Sequence, residues 1–236
     1  MIMSFPQQFL LDIEHPHDQT LDNFVVGDNA ELVDALGYTG QEFTGLWIFG
    51  QPDSGRSHLL RGACLAAQQH ARQTLFIRAS ALVDRPDSLS ELLARAVEDS
   101  QLVAIDDAGL LVGERVWEEL LVALYQRLLS EQGVLLLTDT MPAPNREFAL
   151  PDLASRLSSL QHFQIRPLND EDKADLLRRR AGARGYELSE AVLQYWLTRG
   201  PRDIAALLSD LDVLDKTSLT QQRLVTIPLL KQALGY

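Results

Sequence analysis

Gly50-Gln51-Pro52-Asp53-Ser54-Gly55-Arg56-Ser57 has the spacing of a phosphate-binding loop, G-x-x-x-x-G-K-[ST], with arginine where the motif has lysine. Its glycines let the backbone N–H groups curl around a phosphate chain. The following helix N-terminus adds partial positive charge, and the Ser57 hydroxyl faces the position of a magnesium ion. A lysine ammonium is a compact point charge between the outer phosphates, whereas a guanidinium is planar, forked and bulkier and fits that slot differently. The stretch therefore predicts a nucleotide site in which binding outlasts hydrolysis. Pro52, Asp53, Ser54, Gly55, Arg56, Ser57 and His58 form its phosphate side.

Outward from the loop, the apolar run Leu46-Trp47-Ile48-Phe49 leads in and a helical stretch from Arg56 to about Gln69 leads out, the strand, loop, helix order the motif requires. Downstream, Leu102-Val103-Ala104-Ile105-Asp106-Asp107 is a buried-strand run ending in two carboxylates, the form of a Walker B element. Asp106 is placed to hold Mg²⁺ together with Ser57, and Asp107 to orient an attacking water. Taken singly, a glycine turn and a strand-end acidic pair explain these features as well. Together they favour a nucleotide.

Strand-like runs recur at 46–49, 74–77, 102–105, 134–137 and about 162–165, with helical patterns between them, including a first helix from Asn29 to about Leu36. This alternation predicts an α/β domain, a parallel sheet sandwiched by helices. From Glu114 to Ser130, Trp117, Leu120, Leu121, Leu124 and Leu128 fall on one helical stripe, the signature of core packing. After Pro167 the pattern is purely helical, at 170–183, 189–198, 201–215 and 228–234, which predicts a small all-helical domain. Its helix starts are signalled by Asn169 before three acidic residues, by Ser189-Glu190, and by Pro201 as a first helical residue. The expected division is a flexible segment 1–20, a nucleotide-binding domain 21–166 and a helical domain 167–236.

The chain has 236 residues, 46% of them hydrophobic, enough for one large α/β core with a satellite domain. It contains no apolar run of bilayer length and no signal peptide pattern, so a cytoplasmic location is expected. Its one cysteine, Cys64, falls inside the helix after the loop, where a small buried side chain is the expectation. A formal net charge of −12 opposes independent DNA binding. The triplet Arg178-Arg179-Arg180 has acidic neighbours and is expected to be a solvated helix face.

A Walker A and B core followed by a helical lid is similar to the AAA+ family. Within it, several segments resemble the DnaA-related group: the bacterial replication initiators and, more closely, their shortened Hda-type relatives. The segments are Asp22-Asn23-Phe24-Val25-Val26-Gly27-Asp28-Asn29, Gly55-Arg56-Ser57-His58-Leu59-Leu60, Leu150-Pro151-Asp152-Leu153-Ala154-Ser155-Arg156-Leu157, and Pro167-Leu168-Asn169-Asp170-Glu171-Asp172-Lys173. The likeness continues through Arg184-Gly185-Tyr186-Glu187-Leu188 and Thr226-Ile227-Pro228.

The resemblance implies roles that spacing alone does not. Arg156 matches the family's arginine finger, which reaches into a neighbouring protomer's nucleotide site; a finger of that kind is worth roughly 10³ to 10⁵ in rate. Arg202 matches the sensor 2 arginine, and Val25, Val26 and Gly27 match the adenine pocket. At sensor 1, Thr140 stands where relatives have aspartate; either Asp139 substitutes or self-hydrolysis is further weakened. Gln8, Phe9, Leu10, Leu11 and Ile13 resemble the peptide that docks on the DNA polymerase sliding clamp, although an N-terminal strand explains their alternation equally well. The implied cofactor is ADP or another nucleoside diphosphate, with Mg²⁺. The implied partners are ATP-bound DnaA, the clamp and a second copy of the chain. The initiators carry a further DNA-binding domain, whereas this sequence ends after the lid, at Tyr236. The implied function is negative control of replication initiation by stimulating DnaA-bound ATP hydrolysis. Two other classes stay open: an active AAA+ ATPase such as a helicase loader, and an adaptor that tethers DnaA to the clamp without contributing Arg156.

Overall fold

The strand-like runs become five strands, of which the central ones are buried on both faces. They are β1 (Thr44–Phe49), β2 (Thr74–Arg78), β3 (Leu102–Asp106), β4 (Val134–Asp139) and β5 (Gln161–Gln164). They form one parallel sheet in the order β2-β3-β4-β1-β5. The structure is a computed structural model and describes residues 19–37, 42–83, 100–221 and 224–236.

Every residue of β3 and β4 is buried, as central strands covered by helices on both faces must be. Side chains alternate across the sheet. Trp47, Val103, Ile105, Leu135 and Leu137 join one core, whereas Leu46, Ile48, Ala104 and Leu136 join the other. The helices are α1 (Ala30–Gly37), α2 (Arg56–Gln69), α3 (Ala79–Val83), α4 (Arg115–Ser130) and α5 (Pro151–Ser158). The stripe on α4 packs as expected, with Trp117, Leu121, Leu124 and Leu128 buried and Leu120 half-buried. Short 3₁₀ turns, Ala108–Leu111 and Ala143–Asn145, follow β3 and β4.

Four more helices, α6 (Asp170–Ala183), α7 (Glu190–Arg199), α8 (Ile204–Gln221) and α9 (Ile227–Leu234), enclose a third core around Leu177, Leu193, Trp196, Leu207, Leu211 and Leu230. Asn169 caps α6 in a full capping box with Asp172. Ser189 stands at the N-cap of α7 without a side-chain cap bond. The expected start at Pro201 is corrected: α8 begins at Ile204, because Asp203 supplies the cap, its Oδ1 accepting the Ala206 N–H at 2.9 Å. The helix also runs past the expected Asp215, to Gln221.

The sheet order decides where the chemistry falls. In an open parallel sheet, ligands bind beyond the carboxyl ends of the strands. Because β4 lies between β1 and β3, the loop after β1 and the carboxylates after β3 flank the end of β4. Among the described residues, no helix is long and apolar enough to cross a membrane.

Candidate nucleotide site

The loop leaves β1 at Gly50, whose N–H donates to the Asp139 carbonyl at 3.1 Å. Gly55 has φ 96°, and a Cβ there would lie 2.9 Å from the Phe24 ring, so both conformation and space require glycine. It gives α2 no side-chain cap, which leaves the first-turn N–H groups for an anion. Ser54 Oγ is buried without a hydrogen-bond partner. Arg56 Nη1 forms an ion pair with Asp107 Oδ1 at 3.0 Å, yet it is out of line for a hydrogen bond and is likewise unsatisfied. Buried polar groups are seldom left so, and two in one loop are the complement a phosphate chain would satisfy.

The carboxylates face this loop. Ser57 Oγ donates to Asp106 Oδ2 at 2.6 Å, which brings together the two residues expected to hold Mg²⁺. One hydroxyl and one carboxylate fit that hard cation, which takes few protein ligands and completes its shell with water and phosphate oxygens. Thr138 Oγ1 donates to Asp106 Oδ1 at 2.7 Å and accepts the Asp107 N–H at 2.9 Å. Asp107 adopts the left-handed conformation, φ 54° and ψ 44°. Burial pushes its carboxyl above the ordinary value against the pull of Arg56, while Asp106 and Asp139 add to the rise.

Asp139, the candidate for the sensor 1 role, has partners of its own. Its carboxylate is held by Arg146, with Nε at 2.7 Å, and by the Thr140 N–H at 2.6 Å. Neighbouring strand residues point to opposite faces, so it is Thr138 that meets Asp106. In the segment that resembles an adenine pocket, Val25 is buried and Val26 half-buried, and Gly27, at φ 49°, lies against Leu168 and Asp172. Asn29 bolts this segment to the end of the sheet domain. Its Nδ2 donates to the carbonyls of Val26 and Arg166 at 3.0 and 3.1 Å, and its Oδ1 accepts the Arg166 N–H at 2.7 Å. His58 Nε2 lies 2.8 Å from the Thr20 carbonyl. Cys64 is buried as expected, and burial pushes its thiol up to about 12, a setting that disfavours the thiolate.

Residues 170–234 match the family model described as Hda, lid domain. The whole chain is similar to domain III of the Thermotoga maritima replication initiation protein DnaA, with TM-score 0.80 and 21% identity over 93% of this chain and 96% of that one. AMPPCP-bound DnaA from Aquifex aeolicus gives TM-score 0.72 and 18% identity over 88% and 67% of the two chains. The lid is thus Hda-like, and the chain shares the fold of DnaA domain III. The fold is also similar to that of the Thermotoga maritima RuvB Holliday junction branch migration motor, with TM-score 0.70 and 13% identity over 92% and 71% of the chains.

Within the Hda-like lid Arg202 pairs with Asp170 at the start of α6, its Nη1 lying 2.8 and 2.9 Å from the two carboxylate oxygens. Arg156, on α5, pairs with Asp152 one turn back at 2.9 Å, and its guanidinium lies over the Tyr125 ring, 5.4 Å from the centroid. Neither arginine is engaged by the phosphate loop of its own chain. Gln8, Phe9, Leu10, Leu11 and Ile13 lie outside the described residues. Sequence reasoning missed Thr138, Arg146 and Glu118. The last is fully buried and accepts backbone N–H groups from Gly113, Ala149 and Leu150 at 2.7, 3.0 and 2.7 Å. The available signal for Glu118 was its place on the flank of the α4 stripe, three residues before Leu121.

Proposed function

We propose that this chain is a negative regulator of replication initiation. It holds ADP in the Gly50–Ser57 site and docks on the DNA polymerase sliding clamp through Gln8, Phe9, Leu10, Leu11 and Ile13. From there it presents Arg156 to the ATP of a neighbouring DnaA. The observation that carries the reading is the conjunction of an Hda-type lid over residues 170–234 with a phosphate loop whose Arg56 is paired to Asp107. A carboxylate held by a guanidinium 3.0 Å away is poorly free to orient water, which accords with a chain that activates another ATPase more than it hydrolyses its own nucleotide.

Bound nucleotide would supply negative charge that bridges loop and lid and selects one angle between them. The loop would hold the phosphates through its N–H groups, Ser54 and Arg56. Ser57 and Asp106 would hold Mg²⁺, Val25 to Gly27 would line the base, and Arg202 would approach from the lid. Arg156 is parked and not locked. Its pair with Asp152 spans a single helix turn at the surface, an arrangement worth about 0.3–0.5 kcal/mol, and the ring contact adds about 0.5–1 kcal/mol. Interaction with a developing phosphoryl charge outweighs both.

The test is DnaA ATP turnover with clamp-loaded DNA, comparing the parent with Arg156→Ala after both are shown to fold and to bind the clamp. Stimulation is expected from the parent and not from the variant. Equal stimulation would reduce the chain to a tether, and none from either would favour a self-acting ATPase, to be sought as intrinsic turnover lost on Asp106→Ala.

A further inference from the structure

We infer that Glu118 is a positioning residue for Arg156: its buried carboxylate fixes the start of α5 and joins that helix to the turn after the Walker carboxylates. The inference rests on the reading of Arg156 as a finger.

Glu118 is wholly removed from solvent, a costly place for an ion unless its lone pairs are used. Its partners are backbone N–H groups. Oε1 accepts from Gly113 at 2.7 Å and Ala149 at 3.0 Å, and Oε2 accepts from Leu150 at 2.7 Å. Leu150 is the N-cap of α5 and has no side-chain acceptor, and Pro151 follows at the first helical position. The negative charge at this helix end is thus supplied from α4. A glutamine of the same shape has one acceptor oxygen and would turn an N–H₂ toward an N–H donor.

The other end of the same connection is held as well. Arg146 grips Asp139 at the end of β4, and a Cβ on Gly109 would fall 2.4 Å from Asp139 Oδ2 and 2.5 Å from Arg146 Nη2. Gly109 lies within the 3₁₀ turn that continues from Asp106 and Asp107, and Gly113 lies two residues beyond its end. Residues 146–150 are therefore fastened at both ends to groups that also touch the Walker B turn. Arg156 lies six residues beyond Leu150, roughly 9 Å along a helix. A tilt of about 10° at Leu150 would carry it by roughly 1.5 Å, and a misplacement of about 1 Å can cost on the order of 10²-fold in rate.

The experiment titrates parent, Glu118→Gln, Arg156→Ala and the double variant into the assay of ATP-bound DnaA with clamp-loaded DNA. Glu118→Gln is expected to lower the maximal stimulated rate roughly 10- to 100-fold while the half-saturating concentration stays within about twofold. The double variant is expected to be no slower than Arg156→Ala alone. Amide hydrogen exchange should find Ala149 and Leu150 protected in the parent and released in Glu118→Gln, with the Leu230 amide of the lid unchanged. A folded Glu118→Gln with parental maximal rate overturns the inference, as does fast exchange at Ala149 and Leu150 in the parent. If Glu118→Gln does not fold, parental exchange and Glu118→Asp, which keeps the charge but retracts it by one methylene, decide on the same criteria. If Arg156→Ala still stimulates, the finger reading itself fails, whatever Glu118→Gln does.

Discussion

Replacing Thr138 by valine preserves shape and removes one hydroxyl from the centre of the site. That hydroxyl donates to the Asp106 carboxylate at 2.7 Å and accepts the Asp107 N–H at 2.9 Å, and Thr138 is fully buried. A hydrogen bond to a charged group contributes about 1.5–3 kcal/mol, and a backbone N–H stripped of its acceptor costs about 1–3 kcal/mol. The two are partners of one atom and are not fully additive, so the expected loss is about 3 kcal/mol. In a chain of this size that lowers the melting temperature by roughly 6–12 °C. Ser57→Ala removes only one of Asp106's two donors and should cost roughly half as much, while Thr138→Ser keeps the hydroxyl and should cost under about 1 kcal/mol. Urea unfolding followed by tryptophan fluorescence reads the transition, because Trp47 is in the sheet core next to β4. A Thr138→Val protein within about 1 kcal/mol of the parent would refute the reasoning, and so would a Thr138→Ser protein as unstable as the valine variant.

Asp107→Asn should raise the melting temperature at pH 7. The folded state holds the Asp107 proton more tightly than the unfolded chain, so its charge costs stability above the folded pKa. The gain should shrink as pH falls through the carboxylate range, and asparagine also tolerates the left-handed φ of 54°; a parent more stable than the variant at pH 7 contradicts this. Burial lowers His58 from its ordinary 6.5 against the Thr20 carbonyl, and Arg180 and Arg61 lower it further. The unfolded chain then binds the extra proton, so stability should fall as pH drops through about 6.5, and His58→Gln should flatten that part of a melting profile. An identical profile for the variant would remove His58 as the cause.

What the sequence makes legible is local. Apolar runs locate β1, β3 and β4, because a strand buried on both faces needs no alternation, whereas the edge strands β2 and β5 carry a weaker signal. The expected bounds of α2 and α6 agree with the structure, since Gly55 and Asn169 mark their starts unambiguously. The phosphate loop and Asp106-Asp107 are visible for the same reason, as each is one continuous stretch. The rest depends on chain segments meeting. A threonine at the end of β4 carries no signal until the sheet order sets that strand beside β3. Arg146 pairs with Asp139 across a turn, and Asp170, at the start of α6, engages Arg202 in the connection between α7 and α8. Glu118 looks like one more helix charge beside Trp117 until the backbone of 149–150 folds over it.

The strand order has a consequence for how the molecule is made. β1 pairs only with β4 and β5, both of which follow it late in the chain, while the pair β2 and β3 lies between. As the protein emerges from the ribosome, the loop at Gly50 to Ser57 is synthesised early but has no frame to hang from until residue 139 is out and no outer neighbour until residue 164. Such distant pairing slows folding, because a long loop must close before any contact rewards it. The phosphate loop is thus among the last parts of the sheet domain to acquire its shape, and a translational pause after β3 would lengthen the time its apolar approach, Leu46 to Phe49, spends uncovered.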